Sequence, residues 1–516
     1  MSLGHERQIK QQPVTEEEEV RIGVDEWVAQ VDRRRQQRSG PWGQFMRRWE
    51  AIPASWRVAL VALLLLTAPL VVQSPPVLDA LNLTDADFIV RTGATFLIFS
   101  LLAVGLTVVV GYAGLLDLGY VAFYGIGGYA YAYLASDFVA TLGITENGIH
   151  LPSLIALPII IVITAFVGWL LGFASIRLSG DYLAIVTLGF GLLFVQLAMT
   201  LTRVDVFWLD RSLDLTRGPN GINRLDDLSF FGFQLESTLA YYYFFLLLVG
   251  LIVLIVYRLN HSRIGRAWRA LREDELATEV MGMPVRRLKL TAFAMGAGIA
   301  ALAGASQAAW QGNVVPTRYN ALALIDLYAM IVLGGTGSLP GALLGAFIFT
   351  VLPEVLRSVQ IASIFFYGGL VLGLLLWLGL SRRFLVVLGG LVAGGLVFKV
   401  IADVLWPGLD AGVAPTEGMV LNRLVQEWLV LPANFELVGN IAIGLAVLLL
   451  LLVTVTTRRW RWPMLGVALY LLIFAWETRL VVEPAVTRIL IIGTTLVVLM
   501  IVRPEGLLGK PRVTVV

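Results

Sequence analysis

The chain has 516 residues, of which 58% are hydrophobic and 14% are charged. An average soluble domain is about 25% charged, so this composition excludes a soluble enzyme and indicates a membrane protein. Basic and acidic residues are nearly balanced, 38 against 36, so no nucleic-acid partner is expected. The absence of cysteine excludes disulfides, thiolate catalysis and cysteine-bound metals.

The sequence contains few of the residues and motifs that bind nucleotides or metal ions. The three histidines, His5, His150 and His261, lie far apart along the chain. The phosphate-binding pattern G-x-x-x-x-G-K-[ST] is absent, and the glycine-lysine pair at residues 509–510 runs into Pro511. We therefore expect no metal and no cofactor bound directly to this chain.

Apolar segments long enough to cross a bilayer recur along the sequence. A spanning helix needs about 20 mostly apolar residues, because its backbone must be hydrogen-bonded internally. We predict about 14 such helices, beginning near Trp56, Arg91, Leu118, Leu151, Asp181, Thr238, Leu290, Ala321, Gly341, Ser363, Phe384, Glu436, Pro463 and Ala485. The third, eighth and ninth are interrupted by glycine, and the thirteenth is short. The predicted fold class is an all-α polytopic membrane protein.

The distribution of lysine and arginine predicts the orientation, because basic loops stay in the cytoplasm. Residues 33–48 are rich in arginine, whereas residues 73–87 contain three aspartates and no basic residue. Counting spans onward puts the loop 258–290 and the C-terminal tail on the same side as the N-terminus. We therefore predict a multi-pass protein of the cell (inner) membrane with both termini in the cytoplasm.

The N-terminal segment, residues 1–55, is polar, and no apolar stretch typical of a signal peptide precedes Trp56. Its valines and one tryptophan recur at helical spacing, at Val20, Val24, Trp27, Val28 and Val31. This pattern predicts an amphipathic cytoplasmic helix. A charged tail without fixed structure is an equally open interpretation.

The loop 258–290 has eight basic and four acidic residues and so carries a net charge of +4. Its pattern predicts one helix over residues 266–281, ended by Gly282 and Pro284. Trp268, Leu271 and Leu276 would form the apolar side of that helix. This segment would then be a helix that docks on a partner protein. Alternatively, it is a loop whose charges only set the orientation of the chain in the membrane.

Residues 272–282, REDELATEVMG, resemble the coupling loop of ABC importer permeases, in the form found in branched-chain amino acid permeases. Five further motifs resemble the same family and occur in the same order. They are GYAGLLDLG at 111–119, RLSGDYLAIVTLGFG at 177–191, GPNGI at 218–222, VLGGTGS at 332–338 and RPEGLLG at 503–509. Urea and short-amide permeases are close relatives of this family.

The resemblance implies an ABC importer permease fold and an alternating-access mechanism. It also implies the partners: a second permease subunit, two cytoplasmic ATPase subunits that hold ATP and Mg²⁺, an extracytoplasmic solute-binding protein, and the lipid bilayer. Coupling to the ATPase would fall to the residues of the matching loop, Arg272, Glu273, Asp274, Glu275, Ala277, Glu279 and Gly282.

Glycines that interrupt a span can free backbone groups to line a polar path. The candidate path residues are those of the glycine-rich motifs, Gly111, Tyr112, Gly114, Asp117, Tyr120, Asp181, Thr187, Gly189, Gly191, Gly334, Gly335 and Gly337. Plain helix kinks are an alternative. Residues 125–130 fit a loose dinucleotide pattern, but their position in an apolar span favours close helix packing.

Four positions depart from the family pattern: Asp117, Tyr120, Leu192 and Arg217, the last in place of a glycine. They leave the substrate open among branched-chain amino acids, urea or short amides, and other apolar carboxylates. A stand-alone secondary transporter or channel is a rival, for which an intramembrane pair, Lys399 and Asp403, gives limited support.

A hydrophobic insertion distinguishes this chain from the family pattern. We predict a cytoplasmic segment at 1–55, a permease core at 56–359, an insertion of four extra spans at 360–481, and the last permease span with its tail at 482–516. Because four is an even number, the C-terminal motif still ends on the cytoplasmic side.

Overall fold

The computed structural model describes residues 53–73, 86–143, 146–175, 180–205, 212–230, 232–355, 366–371, 382–405, 432–455, 458–480 and 506–509, with a few isolated positions between 363 and 493. The predicted amphipathic helix near the N-terminus lies outside these residues, and so do nearly all of the spans predicted near Ser363 and Ala485. The chain divides into two compact units, residues 1–84 and 85–516. In the first, helix α1 spans Ala54–Val72.

The second unit begins with a bundle of helices, most of which are apolar. They are α2 (Ala86–Leu106), α3 (Tyr120–Leu134), the short α4 (Phe138–Thr141), α5 (Ser153–Ser175), α6 (Asp181–Thr200), α7 (Thr238–Asn260), α8 (Arg263–Glu273), α9 (Glu275–Val280), α10 (Val285–Gln311), α11 (Ala321–Gly334) and α12 (Leu339–Val355). Three more follow: α13 (Arg382–Leu405), α14 (Phe435–Val455) and α15 (Arg458–Leu480). Among the described residues, six helices are long and apolar enough to cross a membrane, and several apolar helices are shorter. The protein is therefore a multi-pass, all-α membrane protein, while the number fourteen stays a prediction.

Helix α10 lies at the centre of the bundle and packs against α5, α3 and α2. Its sequence is rich in alanine and glycine, and nearly every residue from Gly296 to Ala309 is buried. Gly127 of α3 lies directly against α10, since a Cβ there would come within 2.5 Å of the Ala301 Cα. Small residues thus allow the backbones to approach closely, as predicted for residues 125–130.

Two of the glycine-rich motifs, at 111–119 and 332–338, form the connections between helices, whereas Gly189 and Gly191 lie inside α6. A six-residue π-helix, Thr107–Tyr112, continues α2, and a turn then leads into α3. The turn at residues 335–338 likewise separates α11 from α12. The prediction of glycine interruptions within the third, eighth and ninth spans was therefore wrong in position. The thirteenth predicted span is also longer than expected, because α15 begins at Arg458 and Pro463 lies inside the helix.

Among the described residues, four two-stranded antiparallel ribbons lie at one end of the bundle, which we call the hairpin face. They pair β1 (Ala135–Ser136) with β2 (Ile149–His150), β3 (Val204–Asp205) with β4 (Ser212–Leu213), β5 (Ile222–Asn223) with β8 (Asn313–Val314), and β6 (Ser229–Phe230) with β7 (Phe233–Gln234). Residues 258–289 lie at the other end, which we call the basic face. Connections therefore alternate between the two ends.

Two positions on the hairpin face show how its loops are held. His150 contacts two carboxylates, with Nδ1 2.7 Å from Asp226 Oδ2 and Nε2 3.1 Å from Asp137 Oδ1. The hydrogen bond to Asp226 raises the pKa of His150 above its usual 6.5. Arg217 has a left-handed backbone, with φ 55°, a conformation that glycine adopts more readily than arginine.

The helices α13, α14 and α15 form a hydrophobic cluster of their own, with α15 packed against both others. Lys399 of α13 donates from Nζ to the carbonyl oxygens of Glu427, at 2.5 Å, and Leu429, at 3.3 Å. Backbone carbonyls therefore bind this intramembrane ammonium, and the pairing of Lys399 with Asp403 stays a prediction.

Candidate functional site

The segment of residues 263–282 on the basic face consists of two helices and not one. Asp274 has an extended backbone, with φ −155° and ψ 113°, and separates α8 from α9. Its Oδ1 accepts a hydrogen bond from the Ala277 amide at 2.9 Å, so Asp274 is the N-cap of α9. The prediction of a single helix over residues 266–281 was wrong because this aspartate ends one helix and starts the next.

Helix α8 is fixed to the bundle by Trp268. Its side chain is fully buried, and its Nε1 donates to the Leu288 carbonyl oxygen at 2.9 Å. Leu271 is buried beside it in the same hydrophobic cluster. Burying large apolar side chains of this kind contributes about 2 kcal/mol each. These contacts hold α8 against the start of α10.

Helix α9 is held by an ion pair and a glycine turn. Glu275 Oε1 lies 2.6 Å from Lys289 Nζ of α10, and the lysine side chain is 5% exposed against 44% for the glutamate. At the other end Gly282 has φ 79°. The amides of Gly282 and Met283 donate to the carbonyls of Glu279 and Thr278, which is the Schellman arrangement of a helix end.

The outer side of α9 is apolar and open. Leu276, Val280 and Met281 are 72%, 79% and 77% exposed. Leu276 therefore does not share the buried side of Trp268 and Leu271, because the break at Asp274 turns α9 relative to α8. The result is a small apolar patch at the basic face.

Arg272 joins the α8–α9 segment to two glycine turns. Its Nη1 donates to the Gly111 carbonyl oxygen, at the end of the π-helix. A Cβ at Gly114, which has φ 72°, would lie 2.7 Å from Arg272 Cγ, and one at Gly337, with φ 85°, would lie 2.6 Å from Arg272 Nη1. Both turns therefore need glycine for backbone conformation and for the closeness of this side chain.

The same two turns contact each other and the C-terminal motif. A Cβ on Gly111 would lie 2.9 Å from Gly337 Cα. The amides of Leu507 and Leu508 donate to the carbonyls of Leu333 and Gly334, both at 2.9 Å. Three motifs that are distant in the sequence thus meet beneath α8.

A second group of predicted residues meets where α3 begins. Asp117 is fully buried; its Oδ1 accepts from the Gly119 amide at 3.0 Å, and its Oδ2 has no hydrogen-bond partner among the described residues. The Leu118 amide donates to Thr187 Oγ1 of α6 at 3.0 Å. Gly191 lies one helical turn further on, where a Cβ would approach Gly119 Cα to 3.3 Å. The turn before α3 is therefore docked on α6.

The remaining predicted residues are placed differently. Tyr112 and Tyr120 are buried among the helices. Asp181 and Gly189 are exposed on α6 and join neither group, while Glu273, Ala277 and Glu279 are exposed on the α8–α9 segment. The sequence interpretation missed Lys289 as the partner of Glu275, although its position at the start of an apolar helix was a signal of a buried charge.

Comparison with known proteins identifies relatives of this chain. Residues 88–380 match a protein family described as branched-chain amino acid transport system / permease component. The match ends just before α13. No solved structure matches the chain.

Curated relatives have similar names. The high-affinity branched-chain amino acid transport system permease protein LivM of Escherichia coli is 36% identical over 304 residues, which cover 54% of this chain and 66% of the relative. BraD of Pseudomonas aeruginosa, a permease protein of the same description, is 28% identical over 256 residues, or 49% and 80% of the two chains. A probable branched-chain amino acid transport permease protein LivM of Methanocaldococcus jannaschii is 26% identical over 254 residues, or 47% and 68%. The chain thus spans just under two thirds of the Escherichia coli relative.

Proposed function

Because the chain belongs to the family of branched-chain amino acid transport permease components, we propose that it is the membrane permease subunit of an ATP-driven importer for branched-chain and other hydrophobic amino acids. The names of the relatives support this substrate class. ATP and Mg²⁺ would be held by separate ATPase subunits, so this chain itself is not an enzyme.

The orientation follows from the charges of the described loops. The basic face carries the arginines of residues 258–289. In a cell (inner) membrane this face is on the cytoplasmic side, because basic loops stay in the cytoplasm. The hairpin face then lies outside, where an extracytoplasmic solute-binding protein delivers the substrate. Both termini are cytoplasmic in this orientation.

The patch of Leu276, Val280 and Met281 is the docking surface for one ATPase subunit. These side chains are mostly exposed, and they lie on the segment that resembles the coupling loop. A second permease subunit would present the equivalent segment to a second ATPase subunit. Exposed apolar groups surrounded by charged residues are typical of such protein contacts.

The contact of Arg272 with Gly111 is the observation that carries the mechanism. When the ATPase subunits close, they displace α9 and with it α8. Arg272 transmits this displacement to the turns at 111–114 and 335–337, because its side chain fills the space between them. Since these turns end α2 and α11, the spans rock and expose the path alternately to the two sides.

Reconstitution tests this function. The chain is purified with the second permease and ATPase subunits of its own host, placed in liposomes with the solute-binding protein, and supplied with radiolabelled leucine. We expect uptake that requires ATP and stops with a hydrolysis-deficient ATPase subunit. Uptake without ATP by this chain alone would instead favour a secondary transporter, and uptake of urea without leucine would overturn the proposed substrate.

A further inference from the structure

Three tyrosines of α3, Tyr120, Tyr124 and Tyr129, have buried hydroxyl groups without hydrogen-bond partners among the described residues, and the last two lie near Tyr319. Tyr124 is 2% exposed and Tyr129 is 6% exposed, and neither hydroxyl has a partner among the described residues. Their neighbours on the same helix differ, since Tyr131 donates to the Asp226 carbonyl oxygen at 2.9 Å and Tyr133 to that of Leu215. The hydroxyls of Tyr131 and Tyr133 are thus hydrogen-bonded, whereas those of Tyr124 and Tyr129 have no partner among the described residues, which costs stability unless a ligand or water binds them.

Other aromatic rings pack against the rings of Tyr124 and Tyr129. Tyr319, in the short 3₁₀-helix Pro316–Tyr319, has its ring centroid 5.0 Å from that of Tyr124 and 6.4 Å from that of Tyr129. Phe194 of α6 completes the group, 6.0 Å from Tyr129 and 6.1 Å from Tyr319. The rings form an apolar wall suited to a hydrocarbon side chain.

Glycines of α3 make room for this wall. A Cβ at Gly128 would lie 2.5 Å from the Tyr319 hydroxyl, and one at Gly125 would lie 2.6 Å from Phe194 Cζ. The glycines at 125 and 128 therefore serve a second purpose besides helix packing. They let aromatic side chains from two other elements reach the surface of α3.

Arg318 lies in the same short 3₁₀-helix as Tyr319. Arg318 donates from Nη2 to Asn313 Oδ1 at 3.2 Å, but its buried Nη1 has no hydrogen-bond partner among the described residues. Arg318 directly precedes Tyr319, whose ring packs against the rings of Tyr124 and Tyr129. The hydrogen bond to Asn313 fixes the orientation of the guanidinium. Its second terminal nitrogen can then donate a hydrogen bond to an anion.

Helix α10 contributes another buried polar atom that has no hydrogen-bond partner among the described residues. Gly304 lies against α3, where a Cβ would come within 3.0 Å of the Gly128 amide nitrogen. Gln307 lies one turn further along the same side of α10 and is 6% exposed, and its Oε1 has no partner among the described residues. This oxygen can accept a hydrogen bond from an ammonium group.

We propose that Arg318, Tyr124 and Tyr129, between α3, α10 and residues 316–319, bind the carboxylate of a substrate with an apolar side chain. The inference rests on the proposed function and names the part of the path that recognises the substrate. The carboxylate accepts hydrogen bonds from Arg318 Nη1 and the tyrosine hydroxyls. The side chain lies against Phe194 and Tyr319, and Gln307 is available to the ammonium group of an amino acid.

The location agrees with an entry site. Residues 316–319 follow β8, which belongs to the hairpin face. A substrate released by the binding protein on that side would reach Arg318 before the glycine turns beneath α8. Charge-assisted bonds of this kind favour an anionic group over its neutral analogue.

Binding of two matched probes tests the site. The assembled complex is placed in nanodiscs without the binding protein, and its affinities for radiolabelled leucine and leucinamide are measured by scintillation proximity. We expect the wild type to bind leucine at least about tenfold more tightly than leucinamide, since hydrogen bonds to charged groups contribute this much or more. Arg318→Gln should lose the preference, and Tyr124→Phe should weaken leucine binding severalfold.

Controls separate binding from folding. Arg203→Gln removes an exposed arginine of the hairpin face and should keep the wild-type preference. Arg318→Lys keeps the cation and should keep a reduced preference, which preserves the test if Arg318→Gln fails to fold. A wild type that does not distinguish the two probes, or an Arg318→Gln variant that still does, would overturn the site and leave ordered water as the partner of these groups.

The proposed function and the proposed site can fail separately. If Arg318→Gln supports leucine uptake at the wild-type rate, the site is wrong and the importer function stands. If the wild type takes up no branched-chain amino acid but binds isovalerate over isovaleramide through Arg318, the substrate assignment is wrong and the carboxylate site stands.

Discussion

Arg272 Nη1 donates a hydrogen bond to the carbonyl oxygen of Gly111, although the two residues are 161 positions apart in the sequence. Gly111 lies at the end of a helix, where carbonyl oxygens lack partners from a following turn. A guanidinium gives such a carbonyl a charge-assisted bond, which is stronger than one between neutral groups. The segment that faces the cytoplasmic partners in our proposal is thus connected directly to the end of a spanning helix.

The ion pair between Glu275 and Lys289 should be needed for α9 to hold its position. Glu275→Gln leaves the ammonium of Lys289 almost fully buried without its partner, at a cost of about 1–3 kcal/mol in the free energy of unfolding. We expect a lower melting temperature of the purified complex and reduced leucine uptake. Glu279→Gln, which changes an exposed glutamate of the same helix, serves as the control.

A second substitution checks the cause. Adding Lys289→Met to Glu275→Gln removes the unpaired charge, so much of the stability should return. If the single variant Glu275→Gln is as stable as the wild type, the pair is not a structural requirement.

Gly282 should be replaceable only by residues that adopt a left-handed backbone. Nothing lies within 4 Å of a Cβ built at this position, so the restriction comes from its φ of 79° alone. Gly282→Ala should cost about 1–2 kcal/mol, and Gly282→Pro more, because proline also removes the amide that donates to Glu279. Gly282→Asn should be tolerated.

For Gly282→Pro, ATP hydrolysis by the complex should continue while leucine uptake falls, with normal insertion into the membrane. Both rates are measured on the same liposomes. Wild-type uptake in the proline variant would show that the end of α9 has no part in coupling.

The α8–α9 segment shows what local patterns can and cannot predict. Glycine at 282 and proline at 284 indicated the helix end correctly, since the Schellman turn depends on local backbone conformation. The break at Asp274 was missed, because an aspartate between two helical stretches is compatible with one helix or with the N-cap of a second. The placement of Leu276 failed with it, since a change of helix axis changes which side chains share a face.

Close packing between α3 and α10 should make Gly127 intolerant of a methyl group. A Cβ there would lie 2.5 Å from Ala301 Cα, and backbone atoms cannot move aside as a side chain can. Gly127→Ala should destabilise the protein by about 1–3 kcal/mol. Gly250→Ala on α7, where nothing lies within 4 Å of the added Cβ, should be neutral or slightly stabilising. Thermal unfolding in detergent measures both, and equal melting temperatures would contradict the packing argument.

His150 should make the hairpin face sensitive to pH. Its pKa is raised by the hydrogen bond to Asp226, so the folded state favours the protonated ring. This contribution to stability is fully present below the usual pKa of about 6.5 and is lost as the pH rises through the raised value. Hydrogen exchange of residues 135–150, corrected for its intrinsic pH dependence, should therefore show less protection at high pH.

Two matched variants distinguish this effect of His150 from a general loss of stability of the protein at high pH. His150→Gln removes the titrating ring, and Asp226→Asn removes the carboxylate that raises its pKa. Both should abolish or reduce the pH dependence, whereas α5 should exchange alike in all three proteins. Unchanged pH dependence in His150→Gln would assign the effect to another group.

Long-range contacts explain the remaining differences between sequence and structure. The apolar segments predicted where most of the described helices begin to within a few residues, because hydrophobicity and length are local properties, whereas α4, α8 and α9 were not predicted as separate helices. The motifs that contain Gly111, Gly337 and Gly506 were predicted separately, and their convergence around Arg272 depends on how helices pack. Arg318 was not singled out at all, since one arginine in a loop carries no local signal of binding.

The most direct test of the account compares wild type, Arg272→Gln and Arg269→Gln in one reconstituted complex. Arg269 lies on the same helix, is exposed and donates to Asn260 Oδ1, so it controls for loss of a charge on α8. ATP hydrolysis and leucine uptake are measured together. We expect Arg272→Gln to hydrolyse ATP but lose most of its uptake, and Arg269→Gln to match the wild type in both. Uptake by Arg272→Gln at the wild-type rate per ATP would contradict the claim that Arg272 transmits the movement.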